Sequence, residues 1–392
     1  MERELSVQTG MSTGSGSLAA KMDPAHDLQI AMDSIFGLTP RGGGHAKKFG
    51  TLSDLYIHYT GDSTLHGRYC PTNLPPELRA SQAIHSGSFP TALANTLNRF
   101  LSIGYNKINY FEHILISQKN PTNNLHKASY VQLGNWGDLP DIDPEAVDYP
   151  DMPGLDEKGT LFDLLQKGCV IPVSRKAFTN DDLDVIKAFV VKLGLVARKT
   201  HARYAWDHFI ANANSNDGTP WFSANHGNEG NVALSIASLS AAITALANMA
   251  EPGPSIDKIG IDLSNFKWHL VIPPGLWEEA VKINQTRSYY TSNDLTSKTI
   301  NPCFRLFGNN NERIATPQFL GDGAGWGVIR DPSEVPILEM QYLDGKQEPE
   351  IYFDQNPLSD RAIKGDWFGL KARHEYGGAI SDHRGGYKSI PE

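Results

Sequence analysis

The chain of 392 residues is poor in cysteine, in long apolar runs and in positive charge. Its three cysteines, Cys70, Cys169 and Cys303, lie far apart and form no CxxC pair. An odd, scattered set excludes a disulfide framework and a cysteine zinc site, so each reads as an isolated thiol. No run of about 20 apolar residues is present, which excludes a helical membrane span. The opening Met1-Glu2-Arg3-Glu4 leads into Ser, Thr and Gly and lacks an apolar signal core, so synthesis in a cytoplasm is expected. Lys and Arg number 35 against 44 Asp and Glu, a formal charge of −9. That balance lacks the cation excess that displaces counterions from phosphates, and it disfavours a DNA-reading module.

Catalytic signatures are also scarce. No HExxH is present, so a metalloprotease helix is unsupported. Gly321-Asp322-Gly323-Ala324-Gly325-Trp326-Gly327 is rich in glycine but matches neither GxGxxG nor a phosphate loop ending in GK[ST], and reads as a turn between strands. The acids Asp138, Asp141, Asp143, Glu145 and Asp148 lack the Gly and Glu placement of an EF-hand. His226 stands in Asn225-His226-Gly227-Asn228, where Asn and His side chains are expected to hydrogen-bond the backbone and lock a loop. His201 and His208 share a helix face, with Asp207 or Tyr204 as neighbours of His201. No catalytic, metal or cofactor site is expected.

What is present is a sequence of distinct segments. Residues 1 to about 50 are rich in Gly, Ser and Thr around a short apolar stretch, Leu28 to Leu38, and read as an extended arm with at most one small helix. Ser88, Pro90 and the stripe Leu93, Leu97, Phe100, Leu101 predict a helix that Gly104 ends. From about 126 to 172, repeated Gly and Pro forbid a long helix, while apolar ends flank an acidic middle. A long β-hairpin or loop with an acidic tip is expected, and a loop of that length needs a job. Leu183, Ile186, Val190, Leu193 and Ala197, continuing through Tyr204, Ala205 and Phe209, predict a helix over about 180–213, capped by Thr179 or Asn180, with Gly194 as a bend. Further helices are expected at Ile236 to Leu246 and around Leu276 to Ile283, and strands at Trp268–Ile272, Val335–Leu343, Glu350–Phe353 and Trp367–Arg373. The order is not alternating βαβ, so the class is α+β and a doubly wound nucleotide fold is disfavoured.

These segments resemble the major capsid proteins of Mu-like tailed phages and related prophages. The resemblance rests on His85-Ser86-Gly87-Ser88-Phe89-Pro90 through Gly104-Tyr105, Ser174-Arg175 with Asn180-Asp181-Asp182-Leu183, and Trp221-Phe222-Ser223 with Asn225-His226-Gly227-Asn228. It continues through Trp268 to Pro274 with Leu276 and Ala280, then Arg373-His374-Glu375-Tyr376-Gly377 and Asp382-His383-Arg384-Gly385. It implies the capsid fold of phage Hong Kong 97: N-terminal arm (1–80), lead-in helix (81–125), extended hairpin loop (126–172), peripheral domain with a spine helix (173–224, helix about 180–213), axial domain (225–335) and a return to the peripheral sheet (336–392). It also implies a virion protein, assembled in the host cytoplasm into hexamers and pentamers around double-stranded DNA. The implied partners are other copies, a portal, a scaffold and decoration proteins, with weak contact to DNA. Charge complementarity nominates the acidic hairpin residues Asp138, Asp141, Asp143, Glu145 and Asp148 to face Arg198, Lys199 and Arg203 of a neighbour. A protein compartment shell of the encapsulin type, and a soluble hydrolase using His226, are the rival readings.

Overall fold

The computed structural model describes residues 24–39, 47–63, 69–81, 88–133, 157–174, 180, 183–250, 267–290, 298–354 and 367–391. The chain divides into two units, Met1–Thr96 with Val173–Leu183 and Phe353–Gly369, and Leu97–Pro172 with Asp184–Tyr352 and Leu370–Glu392.

In the first unit, α1 (Pro24–Ile35) is the one small helix expected within residues 1 to about 50. Helices α2 (Leu52–Thr60) and α3 (Pro76–Ser81) follow in the rest of the 1–80 segment, where no helix was expected. Leu28 and Met32 on α1, and Leu52, Leu55, Tyr56 and Tyr59 on α2, recur at helical spacing and are buried. Thr51 caps α2 by accepting the Asp54 N–H at 3.0 Å. The next helix, α4 (Ser88–Tyr105), presents Phe89 edge-on to Tyr56 at 5.0 Å, and its Thr96 hydroxyl donates to buried Asp33 at 2.8 Å. Helices α1, α2 and α4 therefore bury apolar side chains in this unit.

The second unit is built on two sheets and a long helix. Strands β1 (Ile116–Thr122), β2 (Ala128–Leu133), β3 (Glu157–Phe162) and β4 (Leu165–Ser174) precede helix α5 (Leu183–Ile210). β2 and β3 pair antiparallel, Ala128 opposite Phe162 and Leu133 opposite Glu157. After α5 come β5 (Glu229–Gly230), α6 (Ile236–Ala247), β6 (Trp268–Val271), α7 (Trp277–Gln285), β7 (Ser288–Tyr290), β8 (Lys298–Ile300), β9 (Ile314–Ala315) and β10 (Trp326–Arg330). The chain ends with β11 (Leu338–Leu343), β12 (Glu350–Asp354), β13 (Trp367–Ile380) and β14 (Gly386–Ser389). One sheet runs β1-β11-β13-β12 with β4 also on β13, and the other runs β5-β14-β10-β6-β9. The return over 336–392 was expected in one sheet. Gly386–Ser389 instead joins the second, antiparallel to β10 and parallel to β5.

Helix α5, at 28 residues, is about 42 Å long. Its buried stripe includes Ile186, Val190, Leu193, Ala202, Ala205, Trp206 and Phe209. It stops short of the expected Ala213 because Asn212 turns left-handed (φ 54) and the Ala213 N–H bonds back to the His208 carbonyl at 3.0 Å, a Schellman closure. Gly194 and Gly104 have a use that differs from a bend and a stop. A Cβ on Gly104 would lie 2.3 Å from the Val191 carbonyl oxygen, and one on Gly194 would lie 2.3 Å from that of Leu101. The two glycines let α4 and α5 cross with backbones nearly touching, and α4 runs one residue past Gly104. Trp206, Phe209, Trp221, Phe222, Leu338, Met340, Tyr342 and Tyr376 form one core with α5. A second core gathers Leu239, Leu246, Trp268, Leu270, Ile283, Phe307, Trp326 and Val328.

Candidate functional site

The acidic residues singled out from the sequence, Asp138, Asp141, Asp143, Glu145 and Asp148, lie outside the described residues. Their proposed basic partners lie on α5. Lys199 and Arg203, one helical turn apart, are exposed, and the Arg203 guanidinium sits 5.5 Å over the Phe319 ring. Arg198 is different. It is paired with the buried carboxylate of Glu112 and lies 5.0 Å over the Tyr105 ring. Its charge is engaged within its own chain.

Two further features distinguish the surface of this unit. Val185, Phe189 and Val196 on α5 are 48%, 48% and 59% exposed, although the opposite stripe of the helix is buried. Leu161 on β3 and Leu165 and Val170 on β4 are also exposed. Exposed apolar side chains on these elements offer candidate contact positions. A hollow of about 460 Å³ lies between β4 and α5, lined by Leu165, Cys169, Leu193, Val196 and Tyr376 among others.

The segment after α5 is locked from within. Asn228 is fully buried; its amide N–H groups donate to the carbonyls of Trp221 (2.8 Å), His383 (3.1 Å) and Gly386 (3.1 Å), and its side-chain oxygen accepts the Ser223 N–H at 3.0 Å. Asn212 exchanges two bonds with Phe222. His226 faces the Trp221 carbonyl through Nδ1 (3.1 Å) and Asp217 Oδ2 through Nε2 (2.8 Å). Its ring stacks on His383 with centroids 3.8 Å apart. Burial works to raise the Asp217 pKa, but hydrogen bonds from His226 and the Thr219 N–H outweigh it and hold the carboxyl below its ordinary value. Burial pushes His383 down to about 4. The loop-locking role read for His226 and Asn228 is therefore what the geometry shows. Asp217 and His383 escaped sequence reasoning, His383 because it enters from the far end of the chain.

The glycine run is a turn before β10: Gly325 has φ 73, and a Cβ there would meet the Ser389 carbonyl oxygen at 2.0 Å. His201 meets neither solvent nor Asp207. It is buried, with Nε2 2.9 Å from the Tyr342 hydroxyl and its ring stacked near His374. Burial, with the neighbouring His374 and Arg198 charges, sets its pKa well below the ordinary value.

A family model described as phage capsid protein matches residues 157–389, more than half of the chain. No curated protein matches. Among solved structures, the capsid of an empty GTA particle has a TM-score of 0.43 at 11% identity, over 72% of this chain and 91% of that one. A virus-like particle from Pyrococcus furiosus scores 0.41 at 13% identity, over 76% and 98%. The capsid of the cyanophage P-SCSP1u scores 0.45 at 9% identity, over 70% and 86%. The family match alone carries the assignment, and it spans α5, the second core and the locked loop. This α+β chain with its long helix α5 thus belongs to the phage capsid protein family, as a structural subunit of a virion shell.

Proposed function

We propose that the chain is a major capsid protein that assembles with copies of itself into hexamers and pentamers of an icosahedral head enclosing double-stranded DNA, and that it catalyses no reaction. The observation that supports this most directly is the exposed apolar set on α5, β3 and β4, within the segment the family model covers. A second copy of this chain is the occupant such a surface needs. Each contact is modest, and ordering long segments costs entropy. Closure of a lattice makes many weak contacts act together.

In this reading β2 and β3 are the arms of a hairpin that reaches a neighbour, α5 is the spine of a peripheral domain, and the region from 225 to 335 is the axial domain. The hairpin acids Asp138, Asp141, Asp143, Glu145 and Asp148 face Lys199 and Arg203 of the adjacent copy, with Arg198 contributing less because Glu112 already holds it. Portal, scaffold and decoration proteins are the remaining partners, and assembly takes place in the host cytoplasm. The net charge of −9 suits weak contact with packaged DNA, which lets it slide during filling and ejection.

Negative-stain microscopy of the expressed chain tests the proposal. Closed particles are expected. A compact monomer at high concentration overturns the shell reading. Particles isolated from the native host that hold protein cargo instead of nuclease-protected DNA replace the phage head with a compartment.

A further inference from the structure

We propose that Asp217, His226 and His383 form a binding site for one divalent transition-metal ion of the zinc class, which pins the loop after α5 to the turn before β14. One ligand atom from each residue lies within 4.8 Å of the other two.

The case starts from proton counting. Both ring nitrogens of His226 face acceptor oxygens, the Trp221 carbonyl at Nδ1 and Asp217 Oδ2 at Nε2. A neutral imidazole carries a single N–H. Both contacts are favourable only with a proton on each nitrogen, or with a cation in place of the proton between Nε2 and Oδ2. An imidazole that donates Nδ1–H to a backbone carbonyl and offers Nε2 outward is how metal-bound histidines are oriented.

The other two groups are held in the same manner. Asp217 Oδ1 accepts the Thr219 N–H at 2.9 Å, which leaves Oδ2 turned towards His226. The His383 carbonyl accepts from Trp221 Nε1 at 3.2 Å and from Asn228 Nδ2 at 3.1 Å, so the backbone that carries this ring is fixed. Among the described residues no hydrogen bond engages the His383 ring nitrogens; the ring only stacks on His226. It supplies a nitrogen donor with no other use.

Two imidazoles and one carboxylate select zinc, cobalt(II) or nickel(II) over calcium and magnesium, which prefer oxygen ligands throughout. Bond lengths of about 2.0–2.1 Å require the 2.8 Å Nε2–Oδ2 contact to widen slightly and the two stacked rings to tilt apart. Three protein ligands leave a fourth position for water. Hydrogen bonds already fix the surrounding backbone, so what binding has to reorder is the pair of side-chain rings, stacked at 10°.

Calorimetric titration of zinc chloride into the chelator-stripped full chain, with thermal unfolding in parallel, tests the site. One zinc per chain and a higher Tm on zinc addition are expected. H383Q and D217N should each weaken binding at least tenfold, the loss that even an outer-shell partner causes when removed. Cobalt(II) added to the wild-type chain should give the visible absorption of a four-coordinate site, a readout that does not depend on a variant folding. Zinc affinity unchanged in H383Q assigns the heat to surface histidines and overturns the proposal. So does a wild-type chain that gives neither zinc heat nor a cobalt spectrum.

Discussion

Asn228 and the His201–His374 pair carry the strongest residue-scale consequences. The Asn228 side chain makes four hydrogen bonds without solvent exposure, to backbone on both sides of the lock. Asn228→Ala should cost about 2–3 kcal/mol, since buried groups lose partners they cannot replace with water. Asn228→Asp should cost more, because it sets a carboxylate against three carbonyl oxygens; chemical denaturation of the unassembled subunit measures both. His374 is buried beside Tyr105, His201 and Tyr376, and its pKa is lowered to about 4, first by burial, with the Gln347 carbonyl and Glu348 opposing. The folded form thus binds fewer protons than the unfolded form between about 4 and the ordinary histidine value of 6.5. Stability is full above that value and is lost as pH falls through about 4, by about 3 kcal/mol from this residue. His374→Gln should flatten the acid limb of a Tm-against-pH curve; a limb of unchanged steepness would assign it to other groups. The roles of His226 and Asn228 were legible because a polar loop directly after a helix must satisfy its own backbone. Burial of His201 was not, because it depends on β11 and β13 arriving from far along the chain.

Elements were legible where their signal is local. The helices over Ser88–Tyr105 and Leu183–Ile210 follow from apolar residues three and four apart, and each expected C-terminal strand is present with shifted ends. The purpose of Gly104 and Gly194 was not legible, since a helix glycine looks the same whether it bends, ends or admits a neighbour. Propensity and packing make opposite predictions here. Gly→Ala in a helix gains about 1 kcal/mol by propensity. At this crossing the added methyl meets backbone oxygen at 2.3 Å, and overpacking costs about 1–3 kcal/mol or more. Gly194→Ala should therefore lower the Tm, and a rise would show that the crossing can open.

Surface chemistry decides behaviour for the molecule as a whole. Phe189→Glu together with Val196→Glu should leave the subunit folded, because both side chains are about half exposed, and should abolish particles in sedimentation and microscopy. Particles of normal size would move the contact surface elsewhere. Reversing Asp141, Asp143 and Asp148 to Lys should impair assembly most at low salt, where repulsion from Lys199 and Arg203 is least screened. The same reversal combined with Lys199→Glu and Arg203→Glu should restore particles. The helix over Leu52–Thr60 was not legible for a reason at this scale too: its apolar face, Leu52, Leu55, Tyr56 and Tyr59, is short and needs other helices against it.

The order of residues by itself determined the α+β class, the position of the long helix, the strands near the C-terminus and the absence of known catalytic motifs. These depend on side chains a few positions apart, whose spacing matches one backbone period or another. Only the tertiary structure decided that Arg198 is held by Glu112, that two glycines admit a helix crossing, that β14 leaves one sheet for the other, and that His383 lies on His226. Those outcomes couple residues far apart in the chain, and no local period encodes which distant partner a closed core will bring within reach.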